Sequence, residues 1–283
     1  MRAAVTPAGP FSLAQAARVL QDFPVPAATW DGETLRVAFC LERSWEPVGA
    51  ALTQQGDTVR VDTPKHARAT VERIFSLDQD ARPFFEKVLK RDPVLRRIAA
   101  ARAGLRPVLF GSPWEAAVWS VLSQRVQMTQ AARTMVRLAE AHGPAVEVDG
   151  ETLHAFPCPA TLLRVREFPG VAGYKVEWLL DLAHAALRGQ LDTERLLGMP
   201  VDDAMRALQQ LPGIGRFSAE LVLIRGAGAP DVQSTAAARA QHAVERAYGP
   251  GADLATVGEK WRPYRSWGSF LLRFALDEAA SGR

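Results

Sequence analysis

Cysteine is nearly absent from this chain. Its 283 residues hold two cysteines, Cys40 and Cys158, far apart and in no CxxC pair. That excludes a disulfide scaffold and a cysteine-ligated structural metal, and the two thiols read as reduced and structural. Long apolar runs are also missing: none reaches the ~20 residues needed to cross a bilayer. The N-terminus lacks the basic-then-apolar order of a secretory signal, so the expected setting is cytoplasmic. There is no internal repeat and no low-complexity stretch of linker length. Neither sign of charge dominates, with 34 Lys and Arg against 31 Asp and Glu. The resulting pI of about 9.1 suits a nucleic-acid partner but is shared with many ordinary proteins.

What is present is enough apolar material for a real core: 48% of residues are hydrophobic and 23% charged. The length allows one large domain or two. Residues 1–28 are rich in Ala and Pro, with one helix expected over Phe11–Leu20 and loose ends. Thr34–Leu41 alternates Leu35, Val37, Phe39 and Leu41, the period of a half-buried strand. A strand over Trp45–Leu52, a turn at Gln55-Gly56-Asp57, a strand over Thr58–Val61 and a helix over His66–Phe75 complete a small α+β unit, assigned to residues 1–80. From Pro83 onward the pattern is helix after helix with short connections. Residues 81–283 are therefore expected to form a compact all-α bundle, making the molecule mainly α.

The most informative stretch is Leu211-Pro212-Gly213-Ile214-Gly215-Arg216. A helix is expected on either side, over Val201–Gln210 and Phe217–Arg225. The glycines can adopt φ > 0 and bring no Cβ against an approaching backbone. Amides at the start of the second helix have no intrahelical acceptor, so that end favours an anion such as a phosphate. Arg216 adds a positive charge there. The hairpin reads as a grip on a nucleic-acid backbone without sequence readout; a plain interhelical turn is the bland alternative.

Leu211 through Glu220 closely resembles the helix-hairpin-helix of base-excision DNA glycosylases. Three further segments, in the same order along the chain, are similar to the alkylpurine branch of that superfamily, the 3-methyladenine DNA glycosylase II type. They are Pro113-Trp114-Glu115 through Leu122-Ser123-Gln124-Arg125-Val126, Phe168-Pro169-Gly170-Val171 through Lys175-Val176 and on to Gly189, and Lys260-Trp261-Arg262-Pro263-Tyr264-Arg265-Ser266-Trp267. The resemblance implies a monofunctional N-glycosylase, acting as a monomer on double-stranded DNA, that flips an alkylated purine out of the stack. It implies that Arg125, flanked by Gln124 and Val126, fills the gap left behind. It places Phe217 and Leu221 in the base pocket, with Trp267 and Phe270 as further candidates that core packing would equally explain. Phe217 stands where strand-nicking relatives carry a nucleophilic lysine, which argues against Schiff-base chemistry. No cofactor is implied beyond a monovalent cation, Na or K, on hairpin carbonyls.

One departure matters. The family's catalytic acid falls, counted without gaps, on Ala237, and both neighbours are also alanine. A carboxylate is what an oxocarbenium-like sugar needs. Asp231 and Glu220 are the nearest substitutes in sequence, with a capping role expected for Asp231. The competing expectations are an N-glycosylase, a homologue or Ala variant that binds damaged DNA without hydrolysis, and an all-α interaction protein that uses the hairpin only as a turn.

Overall fold

A computed structural model describes residues 2–22, 27–234 and 238–281. The N-terminal part builds a five-stranded antiparallel sheet in the order β1-β5-β4-β3-β2, from β1 (Arg2–Val5), β2 (Ala28–Trp30), β3 (Leu35–Cys40), β4 (Pro47–Gln55) and β5 (Thr58–Asp62). β4 and β5 form a hairpin around Gly56-Asp57, with Gln55 opposite Thr58 and φ +57° at Gly56. Leu35 pairs with Leu52 across β3 and β4. The edge strand β1 corrects the expectation of a loose N-terminus: Arg2 lies opposite Asp62 and Val5 opposite Val59. Four residues carry no usable period, and the strand exists because β5 offers an unpaired edge.

β3 is buried at every position, where alternation predicts burial of one face. Leu35, Val37 and Phe39 face the main core of this half. Ala38 and Cys40 are covered on the other side by a second hairpin, β6 (Ala145–Val148) and β7 (Glu151–His154), inserted within the helical part. Gly49 makes this close approach feasible, because a Cβ there would lie 2.3 Å from Val148 Cγ2.

The helical part contains Pro113–Leu122, Met128–His142, Gly173–Leu187, Val201–Gln209, Arg216–Leu221, Ala238–Tyr248 and Arg265–Ser281, with shorter turns between them. Ser112 caps the first of these, accepting from Glu115 N at 3.3 Å, with Pro113 in the first turn. Every residue of that helix is buried, so it forms the axis of the bundle.

Two large apolar clusters result. One joins the sheet and the helix Leu13–Asp22 to residues 84–108 and to the C-terminal helices, through Trp261, Trp267 and Phe270. The other joins Trp114, Leu122, Met135, Leu179 and the hairpin residues Ile214, Ala219 and Val222. Apolar side chains from both sides of residue 80 share the first cluster, in which the last helix packs on Pro93–Ala101. Arg106 ties this together. It is buried, and its guanidinium donates to the carbonyls of Ala8, Gly9, Pro10, Ser76 and Gln79 at 2.8–3.2 Å.

Candidate nucleic-acid interface and base cavity

The hairpin turn joins Val201–Gln209 to Arg216–Leu221. Gly213 has φ +77°, and a Cβ there would stand 2.7 Å from Trp178 Cε3. Both facts require glycine. Trp178 forms the platform under the turn and is itself met edge-on by Tyr174 at 5.0 Å. Ile214 is buried and anchors the turn, while Leu211 packs half-buried against the same cluster. Gly215 occupies the N-cap of the second helix, with no side chain capping it and open space where its Cβ would be. Arg216 and Phe217 follow, both exposed. The second helix widens into a π turn over Val222–Ala227 and stops at Gly228, φ +87°.

The loop 123–127 lies against this turn. Gln124 Nε2 donates to the Gly213 carbonyl at 2.7 Å. Arg125 is exposed and holds φ +56°, a left-handed conformation rare for a residue with a Cβ. Val126 is half-buried against the bundle core. A residue missed by sequence reasoning supports the loop from behind: Lys175, 4% exposed, donates from Nζ to the carbonyls of Leu122 at 3.1 Å and Gln124 at 2.6 Å. Burial and the Arg125 cation lower its pKa. Nothing in Gly-Tyr-Lys-Val announces a buried ammonium.

Beyond the loop and hairpin, a small cavity of about 60 Å³ opens at the seam between the two cores. Phe217, Leu221 and Glu220 line it from the hairpin side, and Phe270, Arg273 and Phe274 from the last helix. Phe270 stacks on Phe274 with centroids 4.5 Å apart. Arg225 closes the inner end, its guanidinium 5.2 Å from the Phe270 ring and Nε donating to Val108 O at 2.8 Å. Burial lowers its pKa to about 9, so it stays protonated at neutral pH.

Trp267 requires a correction. It does not line this cavity. Its ring packs against Phe84 and Tyr264 at 5.5 and 5.6 Å, and Nε1 donates to Gln79 Oε1 at 3.2 Å. The helix turns position 267 toward Phe84 and Gln79 and presents Ser266, Ser269, Phe270 and Arg273 to the cavity instead.

The two candidate carboxylates separate cleanly. Asp231 is held by Arg265, through Nε at 2.8 Å and the backbone amide at 3.2 Å, and by Arg262 at 3.3 Å. It fixes the start of the last helix and is absent from the cavity wall. Glu220 is buried, lines the cavity and meets Arg216 Nε at 3.3 Å. Ala237 lies outside the described residues. A larger groove, about 870 Å³, runs between Met128–His142 and residues 161–171, away from the hairpin and both carboxylates.

No family model matches the chain. It is similar to the DNA-3-methyladenine glycosylase of Bacillus subtilis (strain 168), 31% identical over 156 residues, which cover 53% of this chain and 51% of the relative. It is also similar to DNA-3-methyladenine glycosylase 2 of Escherichia coli (strain K12), 32% identical over 180 residues, which cover 61% of each. The chain thus spans about half to three-fifths of the length of these curated relatives. In fold it matches the 3-methyladenine DNA-glycosylase from Archaeoglobus fulgidus at a TM-score of 0.80 and 20% identity, over 96% of this chain and 97% of the other. The fold is that of the helix-hairpin-helix DNA glycosylases, an α+β N-terminal unit followed by a helical bundle. In sequence the resemblance is to their alkylpurine branch.

Proposed function

We propose that the chain is a base-excision DNA N-glycosylase that everts a damaged, alkylated purine from duplex DNA into the cavity walled by Phe217, Leu221 and Phe270. The observation that carries this reading is one juxtaposition. An uncapped helix start at Gly215, a strained loop bearing Arg125 that Gln124 ties to the same turn, and an aromatic cavity lined by Phe217 and the buried Glu220 are joined through one hairpin. The open amides and Arg216 would hold a phosphate. Arg125 would occupy the gap in the stack, its planar guanidinium laid on the neighbouring bases. Hydrolysis would break the N-glycosidic bond, with water adding to the sugar and the base leaving free. Arg216 and Phe217 leave the second helix without an exposed lysine for strand nicking.

The acid is the open element of the reaction. Glu220 is the carboxylate on the cavity wall, and residual excision would depend on it. A second reading is favoured by Ala237: the molecule holds damaged duplex without cutting it. A monovalent cation would have to use turn carbonyls, and those of Leu211, Gly213 and Gly215 already accept from Ile214 N, Gln124 Nε2 and Ala219 N. No step of the proposed reaction passes through such an ion.

Release of 7-methylguanine from alkylated duplex by the purified chain separates the readings. Under the excision reading, release is measurable, falls to background in Glu220→Gln and rises at least about tenfold in Ala237→Asp. No release from the chain as given, with release gained in Ala237→Asp, establishes the binding-only reading. No lesion-dependent binding in any variant defeats both.

A further inference from the structure

Lys175 has no part in the chemistry just described, yet it is a buried cation spent on two backbone carbonyls. Those carbonyls belong to Leu122, the last residue of the helix Pro113–Leu122, and to Gln124, two residues into the loop. The ammonium therefore sits at the negative end of a helix dipole and closes the helix end onto the loop. Gln124 carries the connection onward, its side-chain amide donating to the Gly213 carbonyl. The chain of contacts runs from the helix Gly173–Leu187, through Lys175 and Gln124, to the glycine turn.

Apolar packing cannot do this job alone. A hollow of about 120 Å³ lies between the loop and the helix behind it, with Leu122, Arg125, Val126 and Tyr174 on its walls. A loop backed by empty space is free to tilt unless polar contacts fix it. Arg125 nevertheless holds the left-handed φ of +56°, a conformation that persists only where surroundings over-determine it.

We infer that Lys175 is a positioning residue for the DNA-entering loop: with Gln124 it locks the loop and the hairpin into one rigid body, so that Arg125 points into the duplex when the hairpin grips the backbone. This rests on the base-flipping reading of the site. It differs from a phosphate contact in one measurable respect. A lysine that neutralised a phosphate would contribute about one unit to the log-log salt slope of binding, whereas a buried strut contributes none.

The test uses a duplex with a single alkylated purine and 2-aminopurine as its neighbour, whose fluorescence rises when the base unstacks. Lys175→Met removes the ammonium and keeps the stem, and Gln124→Ala breaks the next link without changing charge. Expected for Lys175→Met are an affinity loss of about tenfold or more, loss of most of the fluorescence rise at saturating protein, and an unchanged salt slope. Gln124→Ala is expected to reproduce the fluorescence loss, and the double variant to be no worse than Lys175→Met, as coupled links require. If Lys175→Met does not fold, Gln124→Ala alone decides. The inference is overturned by a full fluorescence rise in a folded single variant, by additive losses, or by a salt slope about one unit shallower in Lys175→Met. A failure of the base-flipping reading looks different: the chain as given produces no fluorescence rise on any lesion duplex.

Discussion

Two single positions show how the molecule converts residue chemistry into shape. Gly213 needs both its positive φ and its bare α-carbon, since the Trp178 ring occupies the space a methyl would take. Gly213→Ala should cost roughly 2–4 kcal/mol, summing left-handed strain and overpacking. Urea unfolding would measure it; a change below about 0.5 kcal/mol would mean that the ring simply moves. Glu115 is the other case. It is buried in the central helix, accepts from Gly111 N at 3.2 Å and faces Arg73, which donates to the Gly111 carbonyl. Burial dominates and pushes its pKa from 4.5 up to about 7. The folded state therefore holds this proton more tightly than the unfolded chain. The contribution is complete below about pH 4.5 and is lost as pH rises through about 7, on the order of 3 kcal/mol in all. Glu115→Gln keeps the acceptor and removes the titration, so its stability relative to the parent should rise by that amount between pH 5 and 8. Parallel pH curves would refute the assignment. The positive φ of Gly213 was legible in Pro-Gly-x-Gly. Lys175, Glu115 and Arg106 were not, because a charged residue in a helix or a connecting loop reads as solvated until its neighbours in space are known.

At the scale of elements, periodicity carried furthest where segments were long. The helix at Val201 and the strands around Val37 and Val59 stand close to their expected bounds. β1, β2, β6 and β7 were invisible, since three or four residues give no period and their pairing is decided by edges elsewhere in the chain. The candidate site followed the same rule. Phe217 and Leu221, one turn apart on one helix, do share a cavity wall, but the opposite wall comes from a helix 50 residues away, and its angle turns Phe270 inward and Trp267 aside. Phe217 gives the element its test. It is 41% exposed, so the fold gains little from it. Phe217→Ala should leave stability within about 0.5 kcal/mol and lower lesion-duplex affinity about tenfold, reflecting lost stacking of roughly 1–3 kcal/mol per base. A variant that binds lesion duplex as well as the parent would remove Phe217 from the pocket.

For the molecule as a whole, the position of the site at a seam is the organising fact. The hairpin rests on the bundle core, while Phe270 and Phe274 come from a helix whose other side packs on the helix Pro93–Ala101 and on Phe84, within the same apolar cluster as the N-terminal sheet. The N-terminal unit therefore acts on the angle of one cavity wall through residues 84–108 and Gln79, without touching the cavity. Arg106 is where that dependence concentrates, because one guanidinium satisfies carbonyls from both ends of the 8–79 stretch. Arg106→Met should cost about 3–5 kcal/mol, as for other changes that leave several buried polar groups without a partner. The larger prediction concerns residues 81–283 expressed without the sheet. Trp261, Trp267, Leu271 and Leu272 would lose part of the core they are buried in, and the exposed face would be contiguous rather than scattered. Such a fragment should retain helical far-UV circular dichroism, lose its near-UV signal and bind ANS, the signature of secondary structure without fixed packing. A fragment with native near-UV bands that still binds lesion duplex would show instead that the bundle aims its own cavity wall, and the sheet would then need another explanation.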